Sequence, residues 1–166
     1  MVRSSSLAIR AVHRRQPDVV AEQTRAAETD LRTAQEALAP FAAVAHAGFL
    51  HDAEKEYAEA VLTAALVAGE PLPDHTALGI AVPAWLNGLA EAASELRRHA
   101  LDRLRDDEVD TAERLLQAMD DVYDALVAVD HPDALTGGLR RTCDALRAVL
   151  ERTRGDITLA VIHRRR

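Results

Sequence analysis

Alanine and leucine recur at helical spacing along almost the whole chain, and the recurrence breaks only at proline and glycine. Between Pro17 and Leu38, for instance, Val20, Ala27, Leu31 and Leu38 fall on one face of a helix. A second long stretch from Pro83 carries Trp85, Leu86, Leu89, Leu96 and Leu104. With 33 Ala and 21 Leu against 3% aromatics, the chain favours helix throughout and lacks the composition of a β-sandwich or barrel. The breakers divide it into about six helices. The first runs from Ser4 to Arg15 and ends before Pro17. The second opens at Pro17 and closes at Pro40. A third is expected from Ala42 to Ala68, stopped by Gly69. After the loop GEPLPDH and a turn at Thr76 to Gly79, a fourth starts at Pro83. Asp106 to Asp110 is a polar connection, with Asp110 or Thr111 able to cap a fifth helix that ends near Val129. Asp133 is placed to cap the last long helix, which Gly155 is expected to interrupt. Residues 1–166 read as one all-α domain, without repeats or a change in composition.

Charge narrows the function classes. Twenty basic residues face 27 acidic ones, for a net charge of −7, so this is not a globally basic nucleic-acid binder. The positive charge is concentrated. Ser4 to Arg15 holds Arg10, His13, Arg14 and Arg15 without an acid, and Gly138 to Arg166 holds eight Arg. Lys55 is the chain's single lysine. One cysteine, Cys143, excludes an internal disulfide and a cysteine-cluster zinc site, and it reads as core. No apolar run is long enough to span a membrane and no signal peptide is evident, so a cytoplasmic protein is expected.

The chemistry lies in acids set where small residues dominate. On the third helix Phe49, Ala53, Glu56, Ala60, Thr63 and Val67 share a stripe, and Glu59 follows Glu56 by one turn. On the fourth, Gly88, Glu91, Ala92 and Glu95 share a face. Two helices each offering a carboxylate pair can build an oxygen-ligand site for Mg²⁺. The same spacing also suits a solvated face, paired with Lys55, Arg97 or Arg98. Zinc-protease, di-iron and phosphate-loop patterns are missing, and Ser4 to Ser6 have no paired base.

Longer strings favour the first reading. FLHDAEKEYAEAVL, WLNGLAEAASELRRHAL, MDDVYDALVAVDHPDALTGGLRR and VLERTRGDITLA resemble the translin family, and more narrowly archaeal relatives of translin-associated factor X. The likeness extends over about Ala42 to Ala160. It implies a helical bundle of about seven helices that assembles into a ring or barrel, an octamer in the family. It also implies single-stranded RNA or DNA binding and, in the factor X branch, metal-dependent endoribonuclease activity. Carried over by position, Glu56, Glu59, Glu91 and Glu95 are the catalytic acids and the ligands of Mg²⁺ or Mn²⁺. Glu91 stands where the family usually has Asp, and Ser94 where it has Gly. The first helix is short for the family, as expected of a late start. Arg10, His13, Arg14, His46, His51 and Arg98 are the candidate nucleic-acid contacts. Phe49, Tyr57 and Trp85 read as core more than as stacking platforms. Rival readings are an inert translin-like binder, an all-α nucleotide pyrophosphatase of the MazG kind, and a helical adaptor. The MazG kind spaces its second acid pair i,i+3, whereas Glu91 and Glu95 are i,i+4.

Overall fold

Proline and glycine set most of the helix ends in the computed structural model, which describes residues 2–45 and 48–164. Helix α1 spans Val2–His13, and α2 spans Pro17–Leu38 with its proline at the first turn, where no amide hydrogen is needed. A single turn, α3 (Ala42–Ala45), precedes α4 (Phe49–Ala68). Helix α4 ends at Gly69, whose left-handed φ of 72° lets its N–H turn back onto the carbonyls of Ala65 and Leu66. The turn α5 (His75–Leu78) is capped by the Asp74 carboxylate, which accepts from the Ala77 N–H. Then follow α6 (Val82–Arg105), α7 (Val109–Val127), the turn α8 (Asp133–Thr136) and α9 (Leu139–Arg164). There is no strand among the described residues, and no helix among them is long and apolar enough to cross a membrane.

Four expectations need correction. The predicted third helix is two, because Gly48 adopts φ 97° and ends the register before Phe49. The last long helix begins at Leu139 and not at Asp133, since Gly137 and Gly138 both have positive φ and separate α8 from α9. Conversely, α9 runs unbroken through Gly155. Thr153 and Ile157 on either side of it are buried, and that packing outweighs the ~1 kcal/mol helix penalty of a lone glycine. Finally, α7 starts from Glu108 at its N-cap, two or three residues ahead of the expected Asp110 or Thr111.

Helices α4 and α6 form the central pair. Helices α1 and α2 cover α4 on one side, while α7 and α9 cover α6 on the other. Leu31, Leu62, Leu96, Leu115, Met119 and Leu146 are fully buried between them, and Cys143 is a buried free thiol, as expected. Gly88 explains how closely the central pair approaches. A Cβ there would lie 2.6 Å from Ala58 Cβ and 2.9 Å from the Lys55 carbonyl oxygen. Only a residue without a side chain fits, and the result brings one face of α4 directly against one face of α6. Asn87, beside it, ties three elements together. Its amide donates to the carbonyls of Pro83 and Thr136, each at 2.8 Å, and its oxygen accepts from the Thr142 hydroxyl at 2.6 Å.

Candidate functional site

One turn beyond the Gly88 contact, the paired helices open into a cleft of about 420 Å³. Its walls come from three helices. Lys55, Glu56 and Glu59 line it from α4, Glu91, Glu95 and Arg98 from α6, and Ser5, Arg10 and His13 from α1. All four predicted acids therefore meet, and Arg10 and Arg98 join them. Tyr57, between the two α4 acids, is turned into the core, as its place on the opposite side of the helix requires.

The acids are not equivalent. Lys55 Nζ donates to Glu91 Oε1 at 2.8 Å, bridging α4 to α6. Burial works against the lysine's charge, but the hydrogen bond and charge of Glu91, with Asp52 and Glu59 nearby, outweigh it and raise the lysine's pKa. His13 Nε2 lies 2.9 Å from Glu95 Oε2, with the imidazole side chain only 2% exposed. That hydrogen bond holds the Glu95 carboxyl below its usual value, against the opposing effect of burial. Glu56 and Glu59 have no hydrogen-bond or ion-pair partner among the described residues. Burial raises Glu56. Glu59 is pushed up to about 7, first by burial and then by the negative charges of Glu91 and Glu95. A carboxyl raised by its neighbours' charge marks a place short of positive charge.

That shortage fits a hard cation. The donors are all carboxylate oxygens, the type Mg²⁺ and Mn²⁺ select. Among the described residues, however, no three acidic, histidine or cysteine donors are grouped closely enough to grip an ion as they stand. Lys55 and His13 hold two of the four acids in the arrangement seen here.

The basic candidates separate. Arg10 and Arg98 are exposed, line the acid cleft, and have no carboxylate within ion-pair distance among the described residues. His13 is in the cleft, but its Nε2 is committed to Glu95. Arg14 lines a different, smaller recess with Leu7 and Gln23. His51 packs beside Gly137 in another cavity, away from the acids. His46 lies outside the described residues. Of the three aromatics, Tyr57 is core and Trp85 is half-buried, its indole N–H donating to the Pro73 carbonyl at 2.9 Å. Phe49 departs from expectation: it is 74% exposed, because the break at Gly48 puts it in the first turn of α4.

Spacing pointed to the acids but not to two of their partners' roles. Lys55 was expected only as the counter-ion of a solvated face, and His13 only as a phosphate contact. Glu54, one residue before Lys55, went unmarked, yet it is the buried acid of α4. Its carboxylate accepts from the Gln35 amide at 2.9 Å and the Ala81 N–H at 3.1 Å, anchoring the turn before α6.

No family model matches the chain. An uncharacterised protein of Methanocaldococcus jannaschii is 32% identical over 111 residues, 66% of this chain, and the chain spans about half the length of that relative. Among solved structures, AfC3PO in complex with duplex RNA is 28% identical with a TM-score of 0.86, covering 99% of this chain and 85% of its own. AfC3PO alone gives 28% and 0.82, covering 98% of this chain and 85% of its own. Apo-NeC3PO, at 19% identity and a TM-score of 0.86 over 96% of this chain and 83% of its own, shares the fold. Identity and superposition along nearly the full chain agree with the strings that carry the site, and this helical chain has the translin-family fold that the C3PO proteins share.

Proposed function

We propose that the chain is a metal-dependent endoribonuclease of the translin type. The observation that carries this reading is the convergence of Glu56, Glu59, Glu91 and Glu95 in one cleft with two uncommitted arginines, Arg10 and Arg98. Glu56 and Glu59, which have no hydrogen-bond or ion-pair partner among the described residues, would be the first ligands of Mg²⁺ or Mn²⁺, with Glu91 and Glu95 completing the set. When bound, the ion supplies water activation and charge stabilisation for in-line attack at a phosphodiester. The chain's own residues do the rest. Arg10 and Arg98 grip phosphate oxygens and hold the strand across the acids. Glu59 is held at about 7 without an ion, first by burial and then by its carboxylate neighbours, so near neutral pH ion binding would release its proton. His13 fixes the rotamer of Glu95.

The strand itself is RNA in this reading. AfC3PO was solved with duplex RNA, so the assay compares single-stranded with duplex substrate. The arginines would meet phosphates, and no Phe, Tyr or Trp lines the cleft among the described residues, so binding is expected to be sequence-tolerant and to weaken with salt. A homo-oligomer in the cytoplasm, forming a ring or barrel of up to eight copies, completes the proposal. The experiment is cleavage of end-labelled RNA of both kinds with Mg²⁺, Mn²⁺ or EDTA, beside a Glu56→Ala/Glu59→Ala variant. Metal-dependent cleavage that the variant loses is the expected result.

A second reading has its own observation. Among the described residues no three donors are pre-grouped for an ion, and Glu91 is held by Lys55. An inert RNA binder of the same fold would shift RNA equally with metal or EDTA and leave it intact, and that outcome would replace the nuclease reading.

A further inference from the structure

We propose that Lys55 is a resident cation of the acid cleft: its ammonium occupies the place a second divalent ion would take, so the cleft accepts a single ion and binds it weakly. The inference rests on the metal-dependent reading above and says how many ions that site takes.

Lys55 is the single lysine among the chain's 20 basic residues, and every other permanent side-chain cation is the planar fork of an arginine. A compact ammonium with three donors can sit among carboxylates much as a small metal ion does. The position is specific. Lys55 Nζ reaches across from α4 to Glu91 Oε1 at 2.8 Å, and both side chains are partly buried. Gly88 brings the two helices together at the Lys55 carbonyl itself, so the lysine's backbone is fixed beside the acids. Glu59 and Glu91 line the same cleft, as do Glu56 and Glu95.

Paired-ion sites for phosphoryl transfer place two dications about 4 Å apart, bridged by shared carboxylates. Here Glu91, the acid facing both Glu59 and Lys55, already shares an oxygen with the ammonium. A cation tethered by the chain does not dissociate, and it repels a dication arriving next to it. Replacing it with a neutral side chain removes that repulsion and frees the Glu91 oxygen as a ligand. Both effects strengthen divalent binding, whereas an ordinary interhelical tie would affect only stability.

The test is Mn²⁺ binding to the intact chain, read by electron paramagnetic resonance of the free ion and by calorimetry, without RNA. Wild type is expected to take one ion per chain. Lys55→Gln is expected to bind at least about tenfold tighter and to admit a second ion, while Lys55→Arg, which keeps the charge, stays weak. Lys55→Met keeps the aliphatic stem and serves if the Gln variant folds poorly. Equal affinity and stoichiometry in wild type and the neutral variants would overturn the inference while leaving the nuclease reading intact, as would tighter binding by the Arg variant. Absence of Mn²⁺ binding in every form, matching the Glu56→Ala/Glu59→Ala control, would overturn both.

Discussion

Replacing Glu59 with Gln should make the protein more stable above neutral pH, although it removes a charged group from the acid cleft. Glu59 is held at about 7 in the fold, against an ordinary value of 4.5. Between those values the folded chain keeps a proton that the unfolded chain has lost, so stability falls as pH rises through that window. Below about pH 4.5 the effect is absent, and above about pH 7 it is complete. A shift of that size corresponds to at most about 3 kcal/mol, at roughly 1.4 kcal/mol per unit. For a chain of this length each kcal/mol moves the melting temperature by about 2–4 °C. Thermal unfolding of Glu59→Gln should therefore match wild type at about pH 4.5 and exceed it by several degrees at about pH 8. Glu95 has the opposite sign, since its pKa is lowered, and its contribution fades on acidification in both proteins alike. The difference between the two curves isolates Glu59. Millimolar Mg²⁺ should then raise the wild-type melting point at about pH 8 more than that of the variant, because the ion replaces the missing positive charge. Parallel pH profiles for the two proteins would refute the reasoning, because they would mean that Glu59 is solvated like any surface acid.

Gly88→Ala should lower the melting temperature by a few degrees and reduce RNA cleavage together. The added methyl would lie 2.9 Å from a backbone oxygen, and the ~1–3 kcal/mol of overpacking exceeds the ~1 kcal/mol gained in helix propensity. Asn87→Ala leaves the Thr142 hydroxyl and two carbonyls without their partner and should cost about 1–3 kcal/mol in chemical denaturation. Arg10→Ala and Arg98→Ala should each weaken RNA binding in a filter or polarisation assay, with the slope of log affinity against log salt falling by about 1 per phosphate contact removed. Melting should barely change in either, since neither side chain has an ion-pair partner among the described residues to lose.

Three glycines show why some of this was legible from residues and some was not. Gly69 stops a helix where the apolar stripe also stops, so local sequence suffices. Gly48 breaks a stripe that continues on both sides of it, and its φ of 97° is invisible to periodicity. Gly155 has nothing within 4 Å of where a Cβ would sit and is carried through α9 by buried neighbours. Local pattern therefore reports helix existence, and tertiary packing decides what a glycine does within it. The site divides the same way. Glu56 with Glu59 and Glu91 with Glu95 are legible because i,i+3 and i,i+4 spacing places each pair on one helix face. The partners that make these acids unequal are not local. His13 reaches Glu95 across 82 residues, and Lys55 reaches Glu91 across 36. Glu54, Glu56 and Glu59 look alike within AEKEYAEA, yet the first is a buried anchor and the other two face the cleft. The helix rotates them apart, and only the neighbouring helices say which direction is inward.

The same placement resolves how a chain of net charge −7 can hold a polyanion. Repulsion between exposed charges fades over roughly 8–10 Å at physiological salt, so the charge that a strand meets is that of the cleft and its rim. Helix α1 carries no acid at all, and it packs against α2 and α4 so that Arg10 and His13 enter the cleft opposite the carboxylates. Arg98, one turn beyond Glu95 on α6, adds a second guanidinium to the same cleft. Four acids thus face Lys55, Arg10 and Arg98, with His13 hydrogen-bonded to one of them. Four carboxylates against three permanent cations leave the cleft short of positive charge by one, and one dication would tip it positive. On the proposed function, phosphate binding and ion binding would then reinforce each other electrostatically. Each should be measurably tighter in the presence of the other, a coupling that the −7 of the whole chain does not oppose at this range.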